Sequence, residues 1–161
     1  MLVSLTGMAG CASTKIKSDN PLVQTNPKAP FARVYFLRPG TERTMGVADN
    51  VINIELDEHP LLTLAKGEYV FVDLKPGEVM TTIKSRTSWG PLSRIKEMAK
   101  GRTFSFAEGE TYFIVIRPVD GEFRGVFFVP REVDLVTAKQ ISKRLRAVGK
   151  ASRKPIAELQ S

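Results

Sequence analysis

Few side chains in this sequence can do chemistry. It has one cysteine, Cys11, and one histidine, His59. One thiol cannot close a disulfide within the chain, and one Cys with one His cannot build a zinc site of the usual Cys and His type. His59 is the only imidazole available as a general base, but it falls in a turn-like stretch, Asp57-Glu58-His59-Pro60, with no serine elbow or second thiol to serve. Neither a Gly-Lys-Ser/Thr phosphate loop nor a His-Glu-x-x-His pair is present. Asp57 and Glu58 are adjacent, so on a strand end they face opposite ways and do not converge on a cation. The expectation is a protein that is not an enzyme, with no metal and no bound cofactor.

The thiol has a context of its own. Residues 1–14 are apolar or small and carry no charge before Lys15, which is the composition of a processing segment. Met8-Ala9-Gly10-Cys11 resembles the lipobox of bacterial lipoproteins. That resemblance implies a diacylglyceryl group on the Cys11 sulfur, cleavage of residues 1–10 as a signal peptide read through Met8, Ala9 and Gly10, and acylation of the new amine. At roughly 0.8 kcal/mol per buried methylene, three acyl chains hold a protein on a membrane far more firmly than one. Ala12 stands where Asp would favour the inner membrane, so the resemblance points to the periplasmic face of the outer membrane. Residues 11–30 contain Pro21, Pro27 and Pro30 and no periodicity, and are expected to be a flexible tether reaching about 24 Å.

With 42% hydrophobic and 25% charged residues in 161, the remainder has the makings of one soluble domain, and no apolar run approaches the ~18 residues that span a bilayer. Short β-branched and aromatic runs dominate residues 31–130, parted by turn residues. Ile52, Ile54 and Leu56 alternate with polar neighbours, as do Val70, Val72 and Leu74. Lys75-Pro76-Gly77-Glu78 is a hairpin signal, and Asp120-Gly121 is another. Trp89-Gly90-Pro91 opens what reads as a longer connection, with room for a helix near Ser93 to Lys100 and the next strand at Thr103 to Ala107. The expected fold is mainly β: an antiparallel β-sandwich of about seven to eight strands with a C-terminal α-helix.

The stretch Ile52 to Ile83, with Gly67-Glu68-Tyr69-Val70-Phe71-Val72-Asp73-Leu74 and the Lys75-Pro76-Gly77-Glu78 turn, resembles the PEGA-like sandwich repeat. Together with Ala32 to Pro39 and Ala107 to Phe113, it is similar to the bacterial lipoprotein family called domain of unknown function 2846. The resemblance covers residues 31–148 and implies a sandwich without implying an activity or any catalytic residue.

Pro130 is expected to stop the last strand and Glu132 to Val148 to form a helix, with Ala138, Ile141, Leu145 and Val148 on one stripe. Lys139, Lys143, Arg144, Arg146 and Lys150 lie largely off that stripe. Residues 131–161 hold eight basic and three acidic side chains, most of the chain's net charge of +7. These cations either press an anionic membrane surface or are simply the wet side of a docked helix. Trp89 with Arg86, Arg94 and Lys96 offers a second candidate, for a sugar or an anionic polymer, against plain packing of Trp89 over the end of the sandwich. The expected role is thus a lipid-anchored envelope protein holding a binding surface at the membrane for another envelope protein or an anionic envelope polymer. The alternative is a cytoplasmic basic module, carried by residues 139–154, for nucleic acid or another anionic polymer; nucleic acid is a partner not expected if Cys11 is acylated.

Overall fold

The computed structural model describes residues 16–42, 44–120 and 125–160. In these, nine strands form: β1 (Ala32–Arg38), β2 (Ile52–Leu56), β3 (His59–Leu64), β4 (Glu68–Leu74), β5 (Gly77–Trp89), β6 (Arg94–Phe106), β7 (Thr111–Asp120), β8 (Val126–Val133) and β9 (Arg146–Ala147), with one helix, α1 (Leu135–Ser142). A five-stranded sheet runs β8-β7-β1-β4-β9, and a four-stranded sheet runs β3-β2-β5-β6. The mainly β sandwich with a C-terminal helix expected from the sequence is present. It departs from a purely antiparallel plan because β1 pairs parallel to β7, and β4 parallel to β9.

Alternation decides which side chains meet. Val34 and Phe36 on β1 and Val70, Val72 and Leu74 on β4 enter the space between the sheets, where they meet Ile52, Ile54, Leu56, Ile83, Phe104 and Phe106 from the other sheet. Tyr35, Leu37, Tyr69, Phe71, Phe113 and Val115 face the opposite way. β1 is therefore buried on both faces, which is why it reads as an unbroken apolar run. At roughly 1.5 to 3 kcal/mol per large side chain removed from water, that outer face needs a cover.

The cover is the C-terminal segment, and it is not one long helix. Asp134 caps α1 by accepting from the Thr137 amide at 2.7 Å, and Ala138 is fully buried against the sheet. After Ser142 the chain leaves the helix. The Arg146 amide donates to the Gly67 carbonyl at 2.8 Å and the Val148 amide to the Tyr69 carbonyl at 2.9 Å, so β4 offers these groups ladder bonds in place of helical ones. Two 3₁₀ turns, Gly149–Ser152 and Ile156–Glu158, then bury Ala151 and Ile156. The expected helix over Glu132 to Val148 is thus shorter at both ends. Its apolar stripe does turn inward, delivered by a helix, a strand and the links between them.

Pro130 does not stop β8. It pairs with Ile116 inside the strand, and β8 is an edge strand of its sheet, the place where a proline is tolerated. The two-residue turn at Asp57 and Glu58 is tighter than the four-residue one expected. Both residues have positive φ, 46° and 68°, a conformation eased by the short polar side chain of Asp57, whose carboxylate accepts from the Met80 amide at 2.8 Å.

Residues 16–30 were expected to be free chain, and instead lie against the sandwich. The Lys17 amide bonds the Leu61 carbonyl, Asn20 Nδ2 donates to the His59 and Pro60 carbonyls, and Val23 forms a bridge with Leu74. Asn20 is 4% exposed, so its amide is an integral fastening. Cys11, Met8, Ala9 and Gly10 lie outside the described residues.

Candidate functional site

β5 and β6 pair without interruption from Gly77↔Phe106 to Trp89↔Arg94. A connection of four residues joins them, with Gly90 at φ +76° and the Ser93 amide donating to the Gly90 carbonyl. The long connection and helical turn expected after Trp89 are absent; those residues are strand. β2 accompanies β5 only from Thr81 to Lys84. Beyond that point the hairpin continues as a two-stranded arm past the body of its sheet.

Residues directly opposite in an antiparallel pair share a face. Phe104 and Phe106 are core residues between the sheets, so Arg94, Lys96, Met98, Lys100 and Arg102, at even positions of the same strand, share that inward face. They are not buried there. From Arg94 to Thr103, β6 is exposed except for half-buried Met98; β6 is the edge strand of its sheet, and β8 of the opposing sheet approaches it, with Phe127 beside Lys100. The result is four cations in a row, at steps of about 7 Å per two residues.

Aromatic rings stand beside them. Lys96 Nζ lies 4.6 Å from the Trp89 ring centre, Lys100 Nζ 5.0 Å from Phe127, and the Arg102 guanidinium 5.6 Å from Phe104. Each such contact at an exposed site contributes about 0.5 to 1 kcal/mol and holds a long side chain in place without neutralising it. Among the described residues no carboxylate forms an ion pair with Arg94, Lys96, Lys100 or Arg102. The other face of the arm is balanced: Lys84 is paired to Glu55 at 2.8 Å, which raises its pKa, and Arg86 stands opposite Glu97. Where the arm meets β8, the Val126 amide donates to Thr87 Oγ1 at 2.8 Å, and Ser85 and Thr81 are buried along the same row.

Of the second candidate set, Trp89, Arg94 and Lys96 are brought together and Arg86 is turned to the opposite face. Lys100 and Arg102 were missed. Their signal was present as cations at every second position except Met98, running into Phe104 and Phe106.

The first candidate set is dispersed. Lys139 is on α1, Lys143 and Arg144 follow it, Arg146 is on β9 and Lys150 is in a 3₁₀ turn, so they form no single helical stripe. Arg146 is bonded to Glu68, whose side chain is 5% exposed. Arg144 lines an open groove of 550 Å³ with Arg117, Gln140, Ile141, Pro39 and Glu42, where the acidic group offsets part of the charge. His59 is exposed, with Nδ1 2.8 Å from the Asp57 carbonyl oxygen and its own carbonyl held by Asn20. Among the described residues there is no cluster of three or more His, Cys, Asp or Glu suited to a metal, and no helix long and apolar enough to cross a membrane.

The chain matches no family model and no curated protein, so the kinship suggested by its turns and strands rests on those motifs.

Proposed function

We propose that this chain is a lipid-anchored, non-catalytic binding domain of the bacterial envelope, attached through Cys11 and held on the periplasmic face of the outer membrane. The observation that carries this reading is Met8-Ala9-Gly10-Cys11 in a charge-free segment, with the chain's only thiol at the end of it. The docking of the next segment sets how far the domain would stand from the lipid. Lys17 is already bonded to Leu61, so the six residue steps between Cys11 and Lys17 give a lead of at most about 20 Å. On this reading the domain rides close to the lipid surface. The charged arm gives it a surface suited to binding, and the solitary, exposed His59 gives no reason to assign it a reaction.

The test is partition between detergent and water of the protein made in a bacterial host with an intact lipoprotein pathway. Wild type is expected in the detergent phase, with an intact mass that begins at Cys11 and includes acyl chains, and Cys11→Ser in the aqueous phase. A wild-type protein that stays aqueous and keeps residues 1–10 would overturn the reading and favour the alternative, a cytoplasmic basic module for nucleic acid or another anionic polymer.

A further inference from the structure

The geometry points to the free edge of β6 as a docking strand for an extended acidic segment of another protein, added antiparallel or parallel along residues 94–102, with carboxylates at alternate positions facing Arg94, Lys96, Lys100 and Arg102. This deepens the reading of the domain as a binding module and does not depend on the anchor.

Three observations carry it. First, β6 has β5 on one side and no strand on the other among the described residues, so half of its main-chain groups face outward, the template for strand addition. Second, the four cations share one face at strand spacing, and any strand laid beside β6 presents its own alternate side chains to that face at the same repeat. Backbone pairing and charge pairing therefore use one register. Third, the odd-numbered face of this stretch is mostly small or charged, with Glu97, Ala99, Gly101 and Thr103, and its large apolar side chain, Ile95, stands at the outer end, 47% exposed.

Charge decides which strand fits. Inward-pointing cations on an edge repel a second copy of the same edge and leave an apolar strand unable to cover them without desolvating charge. An acidic strand removes that penalty, and specificity comes from repelling the rest. Membrane lipid is the weaker fit. The anchored segment docks on β3, the opposite edge of the sheet, three strand spacings or about 14 Å away, so the two edges point apart. Nucleic acid would use the cations but leave the edge main chain unpaired.

The test uses the full chain bearing Cys11→Ser, so that lipid attachment plays no part and failure of the anchor reading leaves this experiment unaffected. A fluorescein-labelled decapeptide of alternating Glu and Thr is titrated by anisotropy against the protein. Saturable binding below about 1 mM is expected, weakened at least tenfold by Lys96→Glu with Lys100→Glu and weakened less by the corresponding Gln pair, with circular dichroism unchanged in both. Two further peptides carry N-methyl groups on all Glu or on all Thr residues. In an added strand one set of amides faces β6 and the other faces away, so one methylated peptide is expected to lose binding and the other to keep it. Equal effects of the two methylations, equal binding of a Lys-Thr decapeptide, or tighter binding of a ten-nucleotide oligothymidylate or of phosphatidylglycerol vesicles would each overturn the proposal.

Discussion

The Arg38 guanidinium lies 4.9 Å from the centre of the Phe128 ring, in the interior between the two sheets, with none of the Arg38 residue exposed. Nη1 donates to the Leu64 carbonyl at 2.9 Å and Nη2 to the Ala48 carbonyl at 3.1 Å, so a strand end and the 3₁₀ turn at Gly46–Asp49 are tied to β1 through one side chain. Burial lowers its pKa to about 10, with Asp49 and Glu68 nearby opposing that shift.

A buried cation without a directly bonded carboxylate is expensive, and its volume matters as much as its charge. Arg38→Met keeps most of the volume and discards the charge, whereas Arg38→Ala leaves a cavity. The expected outcome in urea denaturation is that the alanine variant is about 2 kcal/mol less stable than the methionine variant. Equal stabilities would show that packing at this position contributes nothing.

Tyr35 makes stability fall at high pH. Burial in the ring cluster with Phe71 and Phe113 pushes its pKa up to about 12 from an ordinary value of 10. Below pH 10 the phenol is protonated in both folded and unfolded chains and the stabilisation is complete. Between 10 and 12 the unfolded chain loses its proton first, so this group removes up to about 1.4 kcal/mol per pH unit. Urea midpoints at pH 9, 10 and 11 are expected to drop more steeply for wild type than for Tyr35→Phe. Some decline persists in the variant, because burial raises the Tyr69 pKa in the same direction.

The second core is sealed late in the chain, and Ile156 is the plug. It is fully buried among Tyr35, Tyr69 and Ala151, and its amide donates to Tyr69 Oη at 3.3 Å. Ile156→Ala is expected to cost about 3 kcal/mol by urea denaturation, the range of a cavity in a packed core. A loss under 0.5 kcal/mol would mean that the segment beyond Val148 does not cover the sheet in solution.

Arg33 tests geometry against charge. It meets Asp73 through two parallel bonds, Nε to Oδ1 at 2.8 Å and Nη2 to Oδ2 at 3.0 Å, and lies 4.3 Å from the Phe71 ring centre. Arg33→Lys keeps the charge and loses the fork and the stack, so a loss of about 1 kcal/mol is expected in thermal or urea unfolding.

The elements legible in the sequence are those with one wet and one dry face or two dry ones. Ile52, Ile54 and Leu56 announce β2, and the apolar run of Ala32 to Leu37 announces a central strand. Lys75-Pro76-Gly77-Glu78 does not make the hairpin expected of it: it carries the chain from β4 in one sheet to β5 in the other, strands that do not pair, because a Pro-Gly turn fixes a bend and not the partner of the strand that follows. The arm was not legible, because from Arg94 to Thr103 no side chain of β6 is buried beyond half-buried Met98; a strand without a core face has no hydrophobic period to read. The end of α1 was hidden for another reason. Ala138, Ile141, Leu145 and Val148 keep helical spacing while the backbone bonds of Arg146 and Val148 go to β4, and only the tertiary neighbour reveals that choice. The candidate site followed the same division: Trp89, Arg94 and Lys96 were noticed by residue type, while Lys100 and Arg102 needed the register.

The parallel pairing of β1 with β7, and the bond from Tyr35 Oη to the Lys154 carbonyl 119 residues away, make the first strand wait for the last part of the chain. Closure of so long a loop comes before most of its reward, which places folding among the slow, non-local class. On the ribosome, such a chain can pair β1 with β4 early but leaves the other edge of β1 bare and Tyr35 uncovered until residues 111–154 have emerged.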